Sequence, residues 1–173
     1  MASAPTLTQA SPTPPKPIRL LVLDVDGTLT DGGMYLSESG DEFKRFNTKD
    51  GMALKRLVRH GVSVGLLSSG LGKVMVQRRA AMLDIPYCFV GDKPKLPILD
   101  GWRIELGLEW AEVAFVGDDV NDLTCLDAAG FSACPADSVD RVLSAVDVVL
   151  ENKGGEGCAR EFVDRFIGDC ADW

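Results

Sequence analysis

Short apolar runs along the chain alternate with stretches in which apolar residues recur every three or four positions. The first run, Ile18 to Leu23 with its single Arg19, ends abruptly in Asp24-Val25-Asp26-Gly27-Thr28. Its length and branched residues predict a strand of a parallel sheet, buried on both faces. Met34-Tyr35-Leu36 and Glu42-Phe43-Lys44-Arg45-Phe46 flank Ser37-Glu38-Ser39-Gly40-Asp41, which predicts a hairpin. Gly51 to His60 carries Met52, Leu54, Leu57 and Val58 at helical spacing, with Asp50 placed as a cap and Gly61 as a stop. Val62 to Leu67 is a strand, Lys73 to Leu83 a helix, and Ile85 to Val90 a short strand entered through Pro86. Pro97 suits the first turn of a helix running to Leu106, which Gly107 ends. Val113 to Val116 is another strand, a helix lies near Asp122 to Ala129, and Phe131 to Ala133 and Val148 to Leu150 are strand candidates before a helix over Glu156 to Ile167. Such alternation with short links predicts an α/β fold, a parallel sheet with helices on both faces and right-handed crossovers. The hairpin's apolar side chains would project from this core, so they fold back or another subunit covers them.

Composition narrows the class. At 173 residues the chain suits one domain, and 46% hydrophobic with 25% charged residues is ordinary for a globule. Met1 to Pro17, built from Ala, Ser, Thr and Pro, is expected to be a disordered tail, leaving 18–173 as a single domain. A net charge of -8 excludes nucleic acid and anionic membranes as partners. No run approaches a membrane span and no secretory signal opens the chain, so the expected location is the cytoplasm. The five cysteines have no Cys-x-x-Cys spacing and read as free thiols. His60 is the only histidine, which argues against a multi-histidine metal site, a Ser-His-Asp triad or a nucleophilic cysteine.

The remaining chemistry gathers at strand ends. Asp24 and Asp26, two apart on an extended chain, face one crevice at a carboxyl edge, where ligands of open α/β sheets bind. Their mutual repulsion calls for a cation. An EF-hand counted from Asp24 fails, because Leu29 stands where Gly is needed and Tyr35 where Glu is needed. An isolated Asp-x-Asp-Gly could equally cap a turn, so its partners decide. Those partners are Ser68-Ser69-Gly70 after the second long strand, Lys95 before a helix, and Gly117-Asp118-Asp119-Val120-Asn121-Asp122 after Val116.

In this order the segments resemble the motifs of the haloacid dehalogenase-like superfamily of phosphotransferases. The resemblance implies a Rossmann-like fold with Asp24 as nucleophile, forming an aspartyl phosphate, and Asp26 as the acid and base that moves the proton. It further implies Mg²⁺ held by Asp24, the Asp26 carbonyl and Asp118, with Asp122 among the acids that hold or orient the ion. Lys95 would set a positive charge beside the phosphoryl group, and Ser69 or Ser68 a hydroxyl.

Only the hairpin separates Asp26 from the helix at Gly51, which leaves no room for a cap domain. Thr30-Asp31-Gly32-Gly33-Met34-Tyr35, Phe46-Asn47-Thr48-Lys49-Asp50-Gly51 and Gly154-Gly155-Glu156-Gly157 with Arg160-Glu161 look like the capless phosphatases of 3-deoxy-D-manno-octulosonate 8-phosphate and of nine-carbon 2-keto-3-deoxy acid 9-phosphates. That branch implies a homotetramer whose hairpins pack together, a small sugar acid phosphate as substrate, and contacts to it from Thr28, Gly70, Lys49 and Arg160. Two features depart from the pattern: Leu71-Gly72-Lys73 follows Gly70, and Glu156 stands where the octulosonate enzymes often carry Arg. Rival readings are a general sugar-phosphate phosphatase, a phospho-accepting receiver, which lacks the Asp-x-Asp pair, and a silent assembly partner of a nucleotidyltransferase.

Overall fold

The computed structural model describes residues 12–70 and 72–168; Leu71, Cys170 and the first eleven residues of the expected tail lie outside the described residues. In chain order the elements are β1 (Leu20–Leu23), β2 (Tyr35–Leu36), β3 (Glu42–Phe43), α1 (Thr48–Arg59), β4 (Ser63–Ser68), α2 (Lys73–Met82), β5 (Tyr87–Val90) and α3 (Lys95–Glu105). They continue with β6 (Val113–Val116), α4 (Leu123–Ala128), β7 (Phe131–Cys134), α5 (Asp140–Leu143), β8 (Val148–Val149) and α6 (Cys158–Phe166). Six strands form one parallel sheet in the order β5-β4-β1-β6-β7-β8, while β2 and β3 pair as a separate antiparallel hairpin.

β1 is the axis of the sheet. Its residues alternate between two cores: Leu21 and Leu23 pack with Leu54 and Leu57 of α1, Val76 and Ala80 of α2, and Phe162 of α6. Leu20 and Val22 pack with Leu99 of α3, Phe115, Cys125 and Leu126 of α4, and Val142 of α5. Burial on both faces is why the run carries no polar alternation. Because β1 pairs with β4 on one side and β6 on the other, Asp24, Ser68 and Gly117 emerge side by side at one edge. The chain leaves β1 towards β4 and returns on the other side as β6, the kind of switch point at which open sheets bind ligands.

Every predicted strand and helix is present, with ends shifted by a few residues, and α5 is additional. One expectation is corrected: α1 begins at Thr48 and is capped by Asn47, whose side chain accepts from Lys49 N at 2.8 Å. Asp50 instead lies buried in the first turn and accepts from the backbone N–H of Arg160, across at α6, at 2.8 Å. It therefore serves the start of another helix. The hairpin exposes Met34, Leu36 and Phe43, and among the described residues no helix is long and apolar enough to cross a membrane.

Candidate active site

The loop after β1 folds back tightly. Leu29 and Thr30 N–H both donate to the Val25 carbonyl, and Gly27 takes φ +98°. A Cβ on Gly27 would lie 2.1 Å from Asp118 Oδ2, so only glycine lets the acid after β6 approach this turn. Thr28 is fully buried and donates its hydroxyl to Asp118 Oδ1 at 2.8 Å. The Gly154-Gly155 segment packs on the back of the same loop, with Gly155 N donating to the Thr28 carbonyl at 3.0 Å.

Lys95, the first residue of α3, reaches beneath the loop and is buried. Its ammonium donates to Asp24 Oδ1 and, at 2.6 Å, to Asp122 Oδ1. Asp122 turns its other oxygen to the N–H groups of Asp118 at 3.1 Å and Asp119 at 3.3 Å. The motif after β6 is thus a loop tied by its own last acid, which also fixes the lysine.

Asp24, Asp118 and Asp122 each offer a carboxylate oxygen within 4.8 Å of the others. Three acids against the single Lys95 ammonium leave an excess of two negative charges, which a divalent cation would neutralise. One oxygen of Asp24 holds Lys95 and one of Asp118 holds Thr28, so each keeps a second for an ion, whereas Asp122 has both engaged. Hard carboxylate oxygens suit Mg²⁺ or a similar ion, so the residues present fit that group.

The electrostatics follow from this crowding. Burial and then the Asp122 charge push the Asp24 carboxyl well above the usual range, with Lys95 opposing. Burial likewise lifts Asp118 to about 6, against the Thr28 hydrogen bond. For Lys95 burial would favour the neutral amine, but the Asp24 and Asp122 carboxylates outweigh it and raise the pKa. Burial pushes the Cys125 thiol up to about 12, which removes it as a nucleophile.

Asp24, Asp26, Ser68, Ser69 and Gly70, joined by Asp119 and Asn121, line one cleft of about 260 Å³, with Lys95 and Asp122 beneath it. Ser68 is buried, receives Gly70 N at 3.0 Å and reaches Asp26 Oδ2 at 3.5 Å, while Ser69 is exposed on the rim. Lys49 and Arg160 stand together elsewhere, in a depression of about 360 Å³ with Asn152, Glu156 and Glu161. Arg160 is paired there with Asp164 at 2.6 Å.

One residue escaped the sequence reasoning. Lys44, just past β3, sends its ammonium to Asp26 Oδ1 at 2.5 Å with its side chain only 8% exposed. The sequence carried no signal for it, because the structure turns the polar Glu42 and Lys44 inward and leaves Phe43 and Arg45 exposed.

No family model matches the chain. It is 34% identical over 150 residues to the 3-deoxy-D-manno-octulosonate 8-phosphate phosphatase KdsC of Escherichia coli (strain K12), covering 87% of this chain and 79% of that protein. The solved 3-deoxy-D-manno-octulosonate 8-phosphate phosphatase of Moraxella catarrhalis, in complex with magnesium, phosphate and KDO, superposes with a TM-score of 0.80 at 32% identity, over 84% of this chain and 83% of that one. N-acylneuraminate cytidylyltransferase A of Danio rerio is 34% identical over 154 residues, 88% of this chain; the chain spans only 36% of that relative's length.

Proposed function

The chain belongs to the KdsC-type phosphatases of the haloacid dehalogenase-like superfamily, and from that premise we propose that it hydrolyses the phosphate monoester of a 3-deoxy-2-keto sugar acid through an aspartyl phosphate on Asp24. The observation that carries this is the joint placement of Asp24, Asp26 and Ser68 in one cleft over the Lys95–Asp122 pair. In the first step an Asp24 oxygen bonds to phosphorus while the bond to the sugar oxygen breaks, and that oxygen takes the proton from Asp26. In the second, Asp26 takes a proton from water, the water oxygen bonds to phosphorus, and the bond to Asp24 breaks to release phosphate. Lys95 holds Asp24 in line and adds positive charge next to the transferring group; the Ser68 hydroxyl is the buried donor on the opposite wall. Asp24 and Asp118 would hold Mg²⁺, which when bound neutralises the repulsion between these carboxylates and the phosphoryl oxygens.

The substrate is the 8-phosphate of an eight-carbon acid or the 9-phosphate of a nine-carbon one, and Glu156 favours the longer chain. Residues 18–173 act as one domain in a cytoplasmic homotetramer, a reading supported by the uncovered Met34, Leu36 and Phe43 of the hairpin. The likeness to part of a cytidylyltransferase supports a second reading, a catalytically silent partner of such an enzyme. Phosphate release from octulosonate 8-phosphate, a nine-carbon 9-phosphate and common aldose phosphates, with Mg²⁺ and with chelator, separates the readings. Metal-dependent release from one sugar acid is expected; equal release from aldose phosphates would remove the sugar-acid assignment, and no release from any would favour the silent partner.

A further inference from the structure

Lys44 lies outside every motif that resembles the superfamily, yet it contacts Asp26 more closely than Ser68 does. Its ammonium is 2.5 Å from Asp26 Oδ1 and 3.2 Å from Glu42. The end of the side chain runs close over Gly72, where a Cβ would be 2.5 Å from Lys44 Cε. The lysine therefore threads from the hairpin, between the hairpin and the start of α2, to the rim of the catalytic cleft.

The two Asp26 oxygens are thereby made unequal. Oδ1 is held by Lys44, while Oδ2 faces Ser68 at 3.5 Å and lies where a Cβ on Gly70 would be 2.3 Å away. Ser68 and Gly70 line the cleft that holds Asp24. Oδ2 is therefore the oxygen on the side of Ser68 and Gly70. A carboxylate on a free side chain swivels between equivalent oxygens; one clamped at Oδ1 presents Oδ2 in a fixed direction.

We propose that Lys44 is a positioning residue for proton transfer: it clamps Asp26 Oδ1 so that Oδ2 gives the proton to the leaving oxygen, and it ties that step to the fold of the hairpin. This rests on the role given above to Asp26. When the phosphorus–oxygen bond breaks, the electron pair stays on the leaving oxygen, which takes the Oδ2 proton, and the carboxylate so formed remains paired with the Lys44 ammonium.

The test compares leaving groups. Octulosonate 8-phosphate leaves as an alkoxide that needs the proton, whereas p-nitrophenyl phosphate leaves as a stable phenolate that does not. kcat/KM, which reports events up to formation of the phosphoenzyme, is measured with both for wild type, K44M, K44R and D26N. General acid catalysis supplies about 10²–10⁴-fold, so loss of its orientation in K44M is expected to lower kcat/KM at least about tenfold for the sugar acid and less than about threefold for p-nitrophenyl phosphate. K44R should recover most of the sugar-acid rate. An equal fall with both esters, no fall with either, or an Arg variant as impaired as the Met variant overturns the proposal. D26N keeps the failures apart: if D26N shows the leaving-group split and K44M does not, only the Lys44 inference falls, and if D26N shows no split the role of Asp26 falls with it. Should K44M not fold, K44Q serves in the same comparison.

Discussion

Replacing Lys95 by Met tests how the buried charges are balanced. The unbranched side chain keeps the packing at the start of α3 while removing the ammonium, whose side chain is 2% exposed, from Asp24 and Asp122, which are 7% and 1% exposed. Each pair is worth about 4 kcal/mol in gross Coulomb energy at a separation of about 4 Å and an effective dielectric of about 20. Most of that offsets desolvation, and removing one partner of a buried pair costs about 3–5 kcal/mol. Two acids lose one shared cation here, so the upper half of that range applies. In a chain of 173 residues a destabilisation of 1 kcal/mol moves Tm by about 2–4 °C, which puts the K95M drop at about 8–20 °C. The sign of the pH dependence follows. Lys95 opposes the raised pKa of Asp24 and of Asp118, so without it these two hold protons still more tightly when folded than when unfolded, and the folded state loses stability as pH rises. Circular dichroism melts in chelator near pH 8 and near pH 5 measure this, and Mg²⁺ should restore part of the loss near pH 8. A K95M melt within about 3 °C of wild type near pH 8, or a larger loss near pH 5 than near pH 8, would refute the charge accounting.

Three further outcomes are expected. In chelator the wild type should lose stability as pH rises from about 4 through about 6, because Asp118 and Asp24 have raised folded pKa values; Mg²⁺ should lessen the loss across that window, and flat melts there in chelator would contradict it. Gly27→Ala should cost about 1–3 kcal/mol and weaken Mg²⁺ binding in calorimetry at least about tenfold, since the new methyl group meets Asp118 Oδ2 and φ is +98°. Asp50→Ala should lower the urea midpoint by the equivalent of about 1–2 kcal/mol with m unchanged, because it removes the acceptor for Arg160 N at the start of α6.

The legible parts of this chain are those in which one segment carries its own signal. Val113 to Val116 is a strand to the residue, and the acids after it and after β1 stand at strand ends because apolar runs stop where the sheet edge meets water. The order of those motifs then gave the cleft. What depended on distant partners was not legible. Asp50 has the residue type of a cap and sits next to a helix start, but the N–H it serves lies 110 residues on, while Asn47 was the better-placed cap for its own helix. α5 spans only four residues, too short for a helical period to register. Lys44 reads as one polar residue of an exposed hairpin until the hairpin folds back over Asp26. Lys49 and Arg160 both line a depression separate from the one that holds Asp24.

The central claim is that Asp24 receives the phosphoryl group, and acid quenching during turnover tests it most directly. Wild type and D24N are mixed with Mg²⁺ and a sugar acid phosphate radiolabelled at phosphorus, quenched in acid within the first turnover, digested and mapped. The account predicts protein-bound label in the wild type, confined to the peptide containing Asp24, and none in D24N. Turnover in the wild type with no bound label, or label on another residue, would contradict it.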